Sequence, residues 1–493
     1  MLLGIVLVLL VVAMGLVLFL LRPPTALVLP IAAIVIALFA LGPRILTGDL
    51  SAPLSALCNE VVFGGFMRLA PAIVAVFLGA VLAAQVSEAG IARAIVRVSA
   101  EFAGDSPFLL SLLLLLVIAM LFTSLGGLGA VIMVATTVLP LLLALGLDAL
   151  TAGAIFLFGL SLGGALNPIN WQLYISVLGL EQREIVPYAL ALFVIFLLVA
   201  SAFVAYKIHR GQGIRIAEAL WVGAIAVMFL AAGVAAFRSA AFLAGAKMVL
   251  FVALGALLAF FTLGVIARSL APHRLLPARV NLLSVCALVY PLLIVLFVNL
   301  GNSLGWLRGF TIELVAALFI GVVYAHLASF QPGSGESDRI LRACYEGFRL
   351  AVPAILLLFG IGMLLKATTL PEVAVAVKPL ISAAIPTRPL PFIIGFTIFA
   401  PLALYRGPLN LYGMGSGIVG LILAAGKLAV PLIMVAFFSV GMMQGVSDPT
   451  NTHNAWLAGY LKVRVMDLAR VTVGWVFAIV FGGLIAGVLM FGA

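Results

Sequence analysis

The sequence predicts an all-α, polytopic membrane protein built from two inverted-topology repeats. The chain has 493 residues, of which 66% are hydrophobic and only 9% are charged. Many of its apolar runs reach the ~20 residues that a helix needs to span a bilayer. Two of these runs are interrupted by Pro and Asn at equivalent places that lie 281 residues apart. Such paired interruptions are typical of membrane folds in which two broken helices surround a central binding site.

The two interruptions are named here break one (residues 164–172) and break two (residues 445–454). Each follows an apolar run and contains a Pro between polar residues. Adding 281 to a residue number in break one gives its counterpart in break two. The matched pairs are Asn167 with Asp448, Pro168 with Pro449, and Asn170 with Asn451.

Full spans are predicted wherever an apolar run is long enough to cross the bilayer. The run at 3–21 has no basic segment before it and no small-residue cleavage site. We therefore interpret it as a retained span and not as a signal peptide. The predicted spans are 3–21, 24–42, 60–86, 149–180 (broken), 185–206, 219–237, 243–267, 279–300, 305–327, 340–366, 430–460 (broken) and 468–492.

Two further apolar stretches, 106–147 and 389–428, have polar or Gly-rich midpoints. The midpoints are named tip one (residues 123–129) and tip two (residues 404–410). Each half of these stretches is too short for a full span, so we predict re-entrant helical hairpins. Irregular backbone at membrane depth is tolerated only where protein or a wet cavity satisfies it. We therefore expect the tips and breaks to converge near the middle of the membrane.

The shift of 281 residues relates most of the chain, which divides into repeat 1 (1–206), a linker (207–281) and repeat 2 (282–493). Each repeat has an odd number of full spans and the linker adds a pair, so the second copy is inverted. The distribution of Lys and Arg places the 207–218 loop inside and both termini outside. The scaffold spans are 1–59 and 185–206 in repeat 1, and 282–339 and 466–493 in repeat 2. The elements that carry a hairpin and a break are 60–180 and 340–465.

Two stretches, 91–102 and 372–385, link a span to a hairpin in each copy. Both mix charged and apolar residues, which predicts amphipathic helices at the membrane surface. Two interpretations stay open. Each helix is either an arm that lets the hairpin-bearing elements move against a frame or an ordinary connector.

The two copies differ in charge. Tip one and break one carry no ionisable residue, whereas tip two carries Arg406, and break two carries Asp448 and His453. A charge at the membrane centre costs roughly 2.5–3.5 kcal/mol on insertion scales, which indicates a function. We expect Arg406 to bind a carboxylate and Asp448 to be a cation ligand or a proton carrier. The alternative is that Arg406 and Asp448 simply pair. His453 either titrates in a proton-coupled cycle or makes an ordinary hydrogen bond.

Further charged residues fall inside predicted spans. Arg68 and Arg349 occupy matching positions, which favours a structural role such as capping a hairpin or snorkelling. Glu313 is alone in its predicted span, and we expect it to pair with a neighbouring helix.

Other classes of protein fit the sequence poorly. The net charge of +10 does not indicate nucleic acid, because the basic residues sit in short loops between spans. Cys58, Cys286 and Cys344 have no metal-like spacing. The chain has no Walker loop, His-Glu-x-x-His or Gly-x-Ser-x-Gly motif. We therefore expect no enzymatic activity and no cofactor, and any transport would be driven by an ion gradient.

The tips and breaks resemble those of the ion transporter superfamily, which includes citrate and C4-dicarboxylate symporters. The resemblance covers almost the whole chain at the level of architecture. It implies an elevator-type transporter whose hairpin-bearing elements move against a scaffold that often dimerises. The Ser-Asn-Thr tips of the sodium–dicarboxylate members are absent, which leaves Na⁺ and H⁺ coupling open.

The resemblance implies a set of site residues in each copy. The residues implied to bind substrate are Thr123, Ser124, Gly126, Gly127, Asn170, Arg406, Gly407, Asn410, Thr450 and Asn451. Those implied for the coupling ion are Asn167, Pro168, Asp448 and Pro449, with Ser447 and His453 as weaker candidates.

The sequence and the resemblance together predict a secondary active transporter of an organic anion, coupled to Na⁺ or H⁺. We expect a small carboxylate as substrate, a lipid bilayer but no nucleic acid as partner, a homodimer, and a place in the bacterial cytoplasmic (inner) membrane. One alternative is a cation/proton antiporter with Asp448 as the exchanging carboxylate. A channel or a membrane scaffold without transport is another, which the paired helix breaks disfavour.

Overall fold

The structure is a computed structural model of the chain. It describes all residues except 1–3, 8, 11–12, 14–23, 47, 49, 104–105, 210–239, 271–279, 308, 332–334 and 493. The predicted span 219–237 and most of the span 3–21 lie outside the described residues.

The described residues form helices and no strand, so the all-α class is confirmed. Eight of these helices are long and apolar enough to cross a membrane, or up to ten if two bent helix pairs each count as one span. The protein is therefore a multi-pass membrane protein. The helices are α1 (Thr25–Leu46), α2 (Ser51–Glu88, with a π-helical segment at Ala56–Phe63), α3 (Ile91–Ala103), α4 (Pro107–Phe122), α5 (Gly127–Ala144), α6 (Ala149–Ala165), α7 (Pro168–Leu178), α8 (Gln182–His209), α9 (Ala240–Leu270), α10 (Leu282–Cys286), α11 (Tyr290–Ser303), α12 (Leu314–Ala328), α13 (Glu336–Thr368), α14 (Pro371–Ala384), α15 (Pro389–Ile398), α16 (Gly415–Ala425), α17 (Val430–Ser447), α18 (Thr452–Leu461) and α19 (Val465–Phe491).

Proline and short polar side chains mark many helix starts. Pro107, Pro371 and Pro389 lie in the first turn of α4, α14 and α15, where a missing N–H costs nothing. Ser106 caps α4, and its hydroxyl accepts a hydrogen bond from the N–H of Leu109. These local signals explain why apolar sequence divides into separate helices at these points.

The chain forms two compact units, each made of discontinuous segments. Unit 1 comprises Met1–Val74, Trp171–Leu192 and Ala351–Ala493. It contains tip two and break two. Within it, α17 packs along α19 at Gly487, where a Cβ atom would lie 2.2 Å from Cγ1 of Val435. Small residues of this kind let membrane helices approach closely.

Unit 2 comprises Ala75–Asn170 and Phe193–Leu350. It contains tip one and most of break one. Here α4 packs along α6, and a Cβ atom at Gly163 would lie 2.2 Å from the carbonyl oxygen of Ala119. In the same unit, α9, α11 and α12 pack against one another.

The two predicted surface helices form. The stretch 91–102 is α3, which packs against α4 and α5, and the stretch 372–385 is α14, which packs against α16. The chain then turns by 95° between α14 and α15. Each of these helices therefore packs against a predicted hairpin.

Two predicted spans differ from the structure. The span 279–300 is divided between α10 and α11, because Pro291 has no N–H and its ring clashes with a preceding helical carbonyl. The span 305–327 becomes helical only at Leu314. Glu313 consequently precedes α12 on the exposed surface, and it forms no ion pair with the residues that the structure describes. The prediction of a paired Glu313 within a span was therefore wrong.

Candidate functional site

Break one interrupts the helix as predicted. Helix α6 ends at Ala165, and α7 begins at Pro168. The Asn167 side chain between them is 4% exposed, and its Oδ1 accepts a hydrogen bond from the N–H of Ile169 at 2.9 Å. The Asn170 side chain donates to the carbonyl of Gly164 at 2.8 Å. Two amide side chains therefore satisfy the backbone groups that the break leaves open.

Asn167 also joins break one to tip one. Its Nδ2 donates to the carbonyl oxygens of Phe122 at 2.9 Å and of Leu125 at 3.0 Å. These carbonyls lie at the end of α4 and in the turn that follows it. A single buried amide thus holds the predicted hairpin against the broken helix.

Tip one is a tight turn between α4 and α5. Thr123 Oγ1 donates to the carbonyl of Met120 at 2.7 Å and contacts that of Leu288 at 3.4 Å. Gly127 has a φ of +82°, which a residue with a side chain rarely adopts. The Ser124 hydroxyl is fully buried and has no hydrogen-bond partner among the described residues. A buried hydroxyl without a partner is costly, so this atom is available to a ligand.

Break two repeats the turn of break one. The N–H of Thr450 donates to Asp448 Oδ1 at 2.9 Å, as that of Ile169 does to Asn167 one repeat earlier. The Thr450 hydroxyl adds a bond of 2.7 Å to the same oxygen. Residues 281 positions apart therefore form the same local turn.

The Asp448 carboxylate joins break two to tip two. It is completely buried, and it accepts hydrogen bonds from the N–H groups of Tyr405 at 3.0 Å and of Arg406 at 3.4 Å. Successive backbone N–H groups of this kind form a concave anion site, or nest. Tyr405 and Arg406 both have a φ of 56°, which is strained for residues other than glycine. The carboxylate therefore stabilises a strained tip.

The remainder of tip two is held by Asn410, which is 1% exposed. Its Nδ2 donates to the carbonyl of Ala403 at 3.1 Å, and its Oδ1 accepts from the N–H of Tyr412 at 2.9 Å. A Cβ atom at Gly407 would lie 2.3 Å from the carbonyl oxygen of Leu402. Asn410 and Gly407 therefore have structural roles in shaping the tip.

The Arg406 side chain does not pair with Asp448. Its guanidinium donates one hydrogen bond, of 3.3 Å, to the carbonyl of Tyr412, and it forms no ion pair with any residue in the described part of the chain. The contact with Asp448 uses the Arg406 backbone N–H instead. A guanidinium has five N–H donors, so most of those of Arg406 remain available.

Polar residues that the sequence reasoning did not single out complete break two. Gln444 exchanges two hydrogen bonds with Asn451, at 2.8 and 2.6 Å. The Asn454 amide donates to the carbonyls of Val446 and Asp448, while its own Oδ1 is buried without a partner among the described residues. Their position beside the polar run 445–454 was the only signal in the sequence.

The weaker predicted ion ligands have ordinary partners. The hydroxyl of Ser447 lies 2.8 Å from that of Thr472, and Nε2 of His453 lies 3.1 Å from the carbonyl oxygen of Gly445. Pro168 begins α7, and Pro449 follows Asp448 in the turn. The described residues contain no group of three or more His, Cys, Asp or Glu that could hold a metal ion.

Arg68 and Arg349 make different contacts. Arg68 donates to the carbonyls of Ser176 at 2.6 Å and Val177 at 3.1 Å, and so caps the C-terminal end of α7 as a cation there should. Arg349 is exposed and forms a two-pronged ion pair with Glu346. Matching positions in the sequence therefore have unequal roles.

No family model matches the sequence, and no curated protein matches it either. The proposal of function therefore rests on the geometry of the two tips and breaks and on their resemblance to the ion transporter superfamily.

Proposed function

We propose that the protein is a secondary active transporter of an organic anion and that Arg406 binds a carboxylate of the substrate. The observation that carries the proposal is the state of its guanidinium. The side chain lies on a predicted hairpin tip of a membrane protein, makes one hydrogen bond and is not neutralised by Asp448. Arg is well suited to a carboxylate because its planar donors bind both oxygens.

Asp448 positions this site in the proposal. Its carboxylate holds the N–H groups of Tyr405 and Arg406 and so sets the direction in which the guanidinium leaves the backbone. All its contacts are with donors, which leaves little room for a cation at Oδ1. This arrangement favours anion transport over the antiporter alternative, in which Asp448 would exchange cations directly.

The rest of the proposal follows the resemblance. The hairpin-bearing elements 60–180 and 340–465 would move as an elevator against the scaffold spans of a homodimer, in the bacterial inner membrane. Na⁺ or H⁺ would supply the driving force. Buried oxygens without partners, Ser124 Oγ and Asn454 Oδ1, are the groups best placed to take a Na⁺ ion.

The test is a thermal-shift screen of the purified protein with mono-, di- and tricarboxylates, each in Na⁺ and in K⁺. A ligand that binds only the folded state at one hundred times its Kd stabilises the protein by about 2.7 kcal/mol. We expect one carboxylate to raise Tm, Arg406→Ala to abolish that rise, and Arg388→Ala to retain it. Arg388 is an exposed arginine of the same hairpin and serves as the matched control.

Two outcomes would contradict the proposal. One is a carboxylate-dependent rise in Tm that survives Arg406→Ala. The other is stabilisation by Na⁺, Li⁺ or pH alone that depends on Asp448, which would establish the antiporter in its place.

A further inference from the structure

A cavity of about 380 Å³ lies within unit 2, beside tip one. The end of α2 forms one wall with Ser87 and Glu88, and the first half of α13 forms the other with Arg342, Glu346 and Arg349. Small-molecule sites occupy roughly 300–1,000 Å³, so the volume suits a small metabolite. We name this space the α13 cavity.

Two guanidinium groups face the α13 cavity from one helix. Arg342 and Arg349 are seven residues apart, which places them on the same side of α13 about 10.5 Å apart along its axis. Arg side chains are long enough to converge over such a distance. Two converging guanidiniums match the two ends of a dicarboxylate.

Arg342 is only loosely engaged. Its sole ion pair among the described residues is with Glu88, at 3.5 Å, and its side chain is 63% exposed. Exposed pairs of this kind contribute about 0–1 kcal/mol. A carboxylate of a ligand can therefore replace Glu88 at little cost.

Arg349 keeps donors free although it is paired. Its Nε and Nη2 atoms bind the two oxygens of Glu346 at 2.8 and 2.6 Å, and Nη1 has no partner in the portion of the chain that is described. The guanidinium can thus accept a second carboxylate while Glu346 holds it in place.

The floor of the cavity is the first turn of α5, which directly follows tip one. A Cβ atom at Gly129 would lie 2.9 Å from Cδ2 of Leu350, so glycine lets α13 close the floor there. Helix α5 has no side-chain cap at its start, and the positive end of its dipole favours an anion. An anion in the cavity would therefore rest one helical turn from Gly127.

We propose that the α13 cavity is an outer binding site for a dicarboxylate, held by Arg342 and Arg349 and adjacent to tip one. This inference rests on the proposed function and narrows its substrate class. A transported dicarboxylate would exchange Glu88 and Glu346 for its own carboxylates while it occupies the cavity. The site differs from the Arg406 site because it does not need a strained tip or a buried acidic partner.

The first experiment measures the cavity without any assumption about the substrate. Ala343 lines the cavity, and Ala343→Cys is made in a chain in which Cys58, Cys286 and Cys344 are replaced by Ser. The rate of modification is compared for an anionic sulfonate thiol reagent and for a neutral one. We expect Arg349→Ala to slow the anionic reagent about three- to tenfold, as expected for the loss of one charge-assisted contact, and to leave the neutral reagent unchanged.

Succinate and acetate are then added as competitors in the same assay. We expect succinate to protect Ala343→Cys from modification, acetate to give little protection, and Arg342→Ala or Arg349→Ala to remove the protection by succinate. Arg93→Ala is the matched control, because Arg93 is an exposed arginine of the same unit and does not line the cavity.

The outcomes separate this inference from the proposed function. Equal rates in Arg349→Ala and wild type, with no protection by succinate, would overturn the outer site even if Arg406→Ala abolishes carboxylate binding. Protection that depends on Arg342 and Arg349 would establish the outer site even if Arg406 proves unnecessary.

Discussion

At the scale of residues, one difference between the copies explains the charge of break two. Asn167 faces two carbonyl oxygens of tip one and must donate, which an amide does. Asp448 faces two N–H groups of tip two and must accept with both oxygens, which only a carboxylate does. The choice of Asn or Asp at matched positions therefore follows from whether the neighbouring tip presents acceptors or donors.

Exchanging these two residues should damage both tips. In Asn167→Asp a buried carboxylate would face carbonyls at about 3 Å, and an unpaired buried charge costs about 3–5 kcal/mol. Asp448→Asn loses one acceptor, which costs about 1–3 kcal/mol. We expect thermal unfolding in detergent to show a larger fall in Tm for Asn167→Asp than for Asp448→Asn.

Thr450→Val provides the comparison for this pair. It removes the hydroxyl bond to Asp448 and keeps both contacts between Asp448 and tip two. It should therefore lower Tm less than Asp448→Asn does. An Asn167→Asp variant as stable as wild type would contradict the role assigned to Asn167.

At the scale of elements, the sequence predicted where helices break better than how long they are. Both breaks, both tips and the helices α3 and α14 could be predicted, because Pro, Gly and polar residues in apolar sequence act locally. The division of the span 279–300 was missed, although Pro291 was visible. The contact of Thr123 with the carbonyl of Leu288 could not be predicted, because it depends on tertiary packing.

The packing of α4 against α6 should depend on Gly163. A methyl group there would meet the carbonyl of Ala119 and Cβ of Phe122, and Phe122 supplies an acceptor to Asn167. Overpacking costs typically ~1–3 kcal/mol, so we expect Gly163→Ala to lower Tm. Gly474→Ala, in open space on α19, should leave Tm unchanged or raise it, because Ala favours helix. Equal effects of the two substitutions would contradict the close approach of α4 and α6.

At the scale of the whole molecule, composition was sufficient for the membrane class and insufficient for the site. The apolar helices follow directly from the hydrophobic runs. The strained backbone at Tyr405 and Arg406 has no signature in the sequence, because neither residue favours a positive φ. The inverted arrangement of the repeats stays a prediction, and it rests on an odd number of spans per repeat and on the distribution of basic residues.

Arg183 and Arg464 allow a direct test of that inversion. They lie 281 residues apart, at or just before the start of α8 and α19, and both side chains are largely exposed, at 78% and 79%. Inverted repeats place equivalent positions on opposite faces of the membrane, with Arg183 outside and Arg464 inside. In intact cells expressing a chain without native cysteines, an impermeant thiol reagent should label Arg183→Cys and not Arg464→Cys. Permeabilisation should make both react. If both positions are labelled in intact cells, the repeats are parallel, and the two tips cannot be inverted copies of one site.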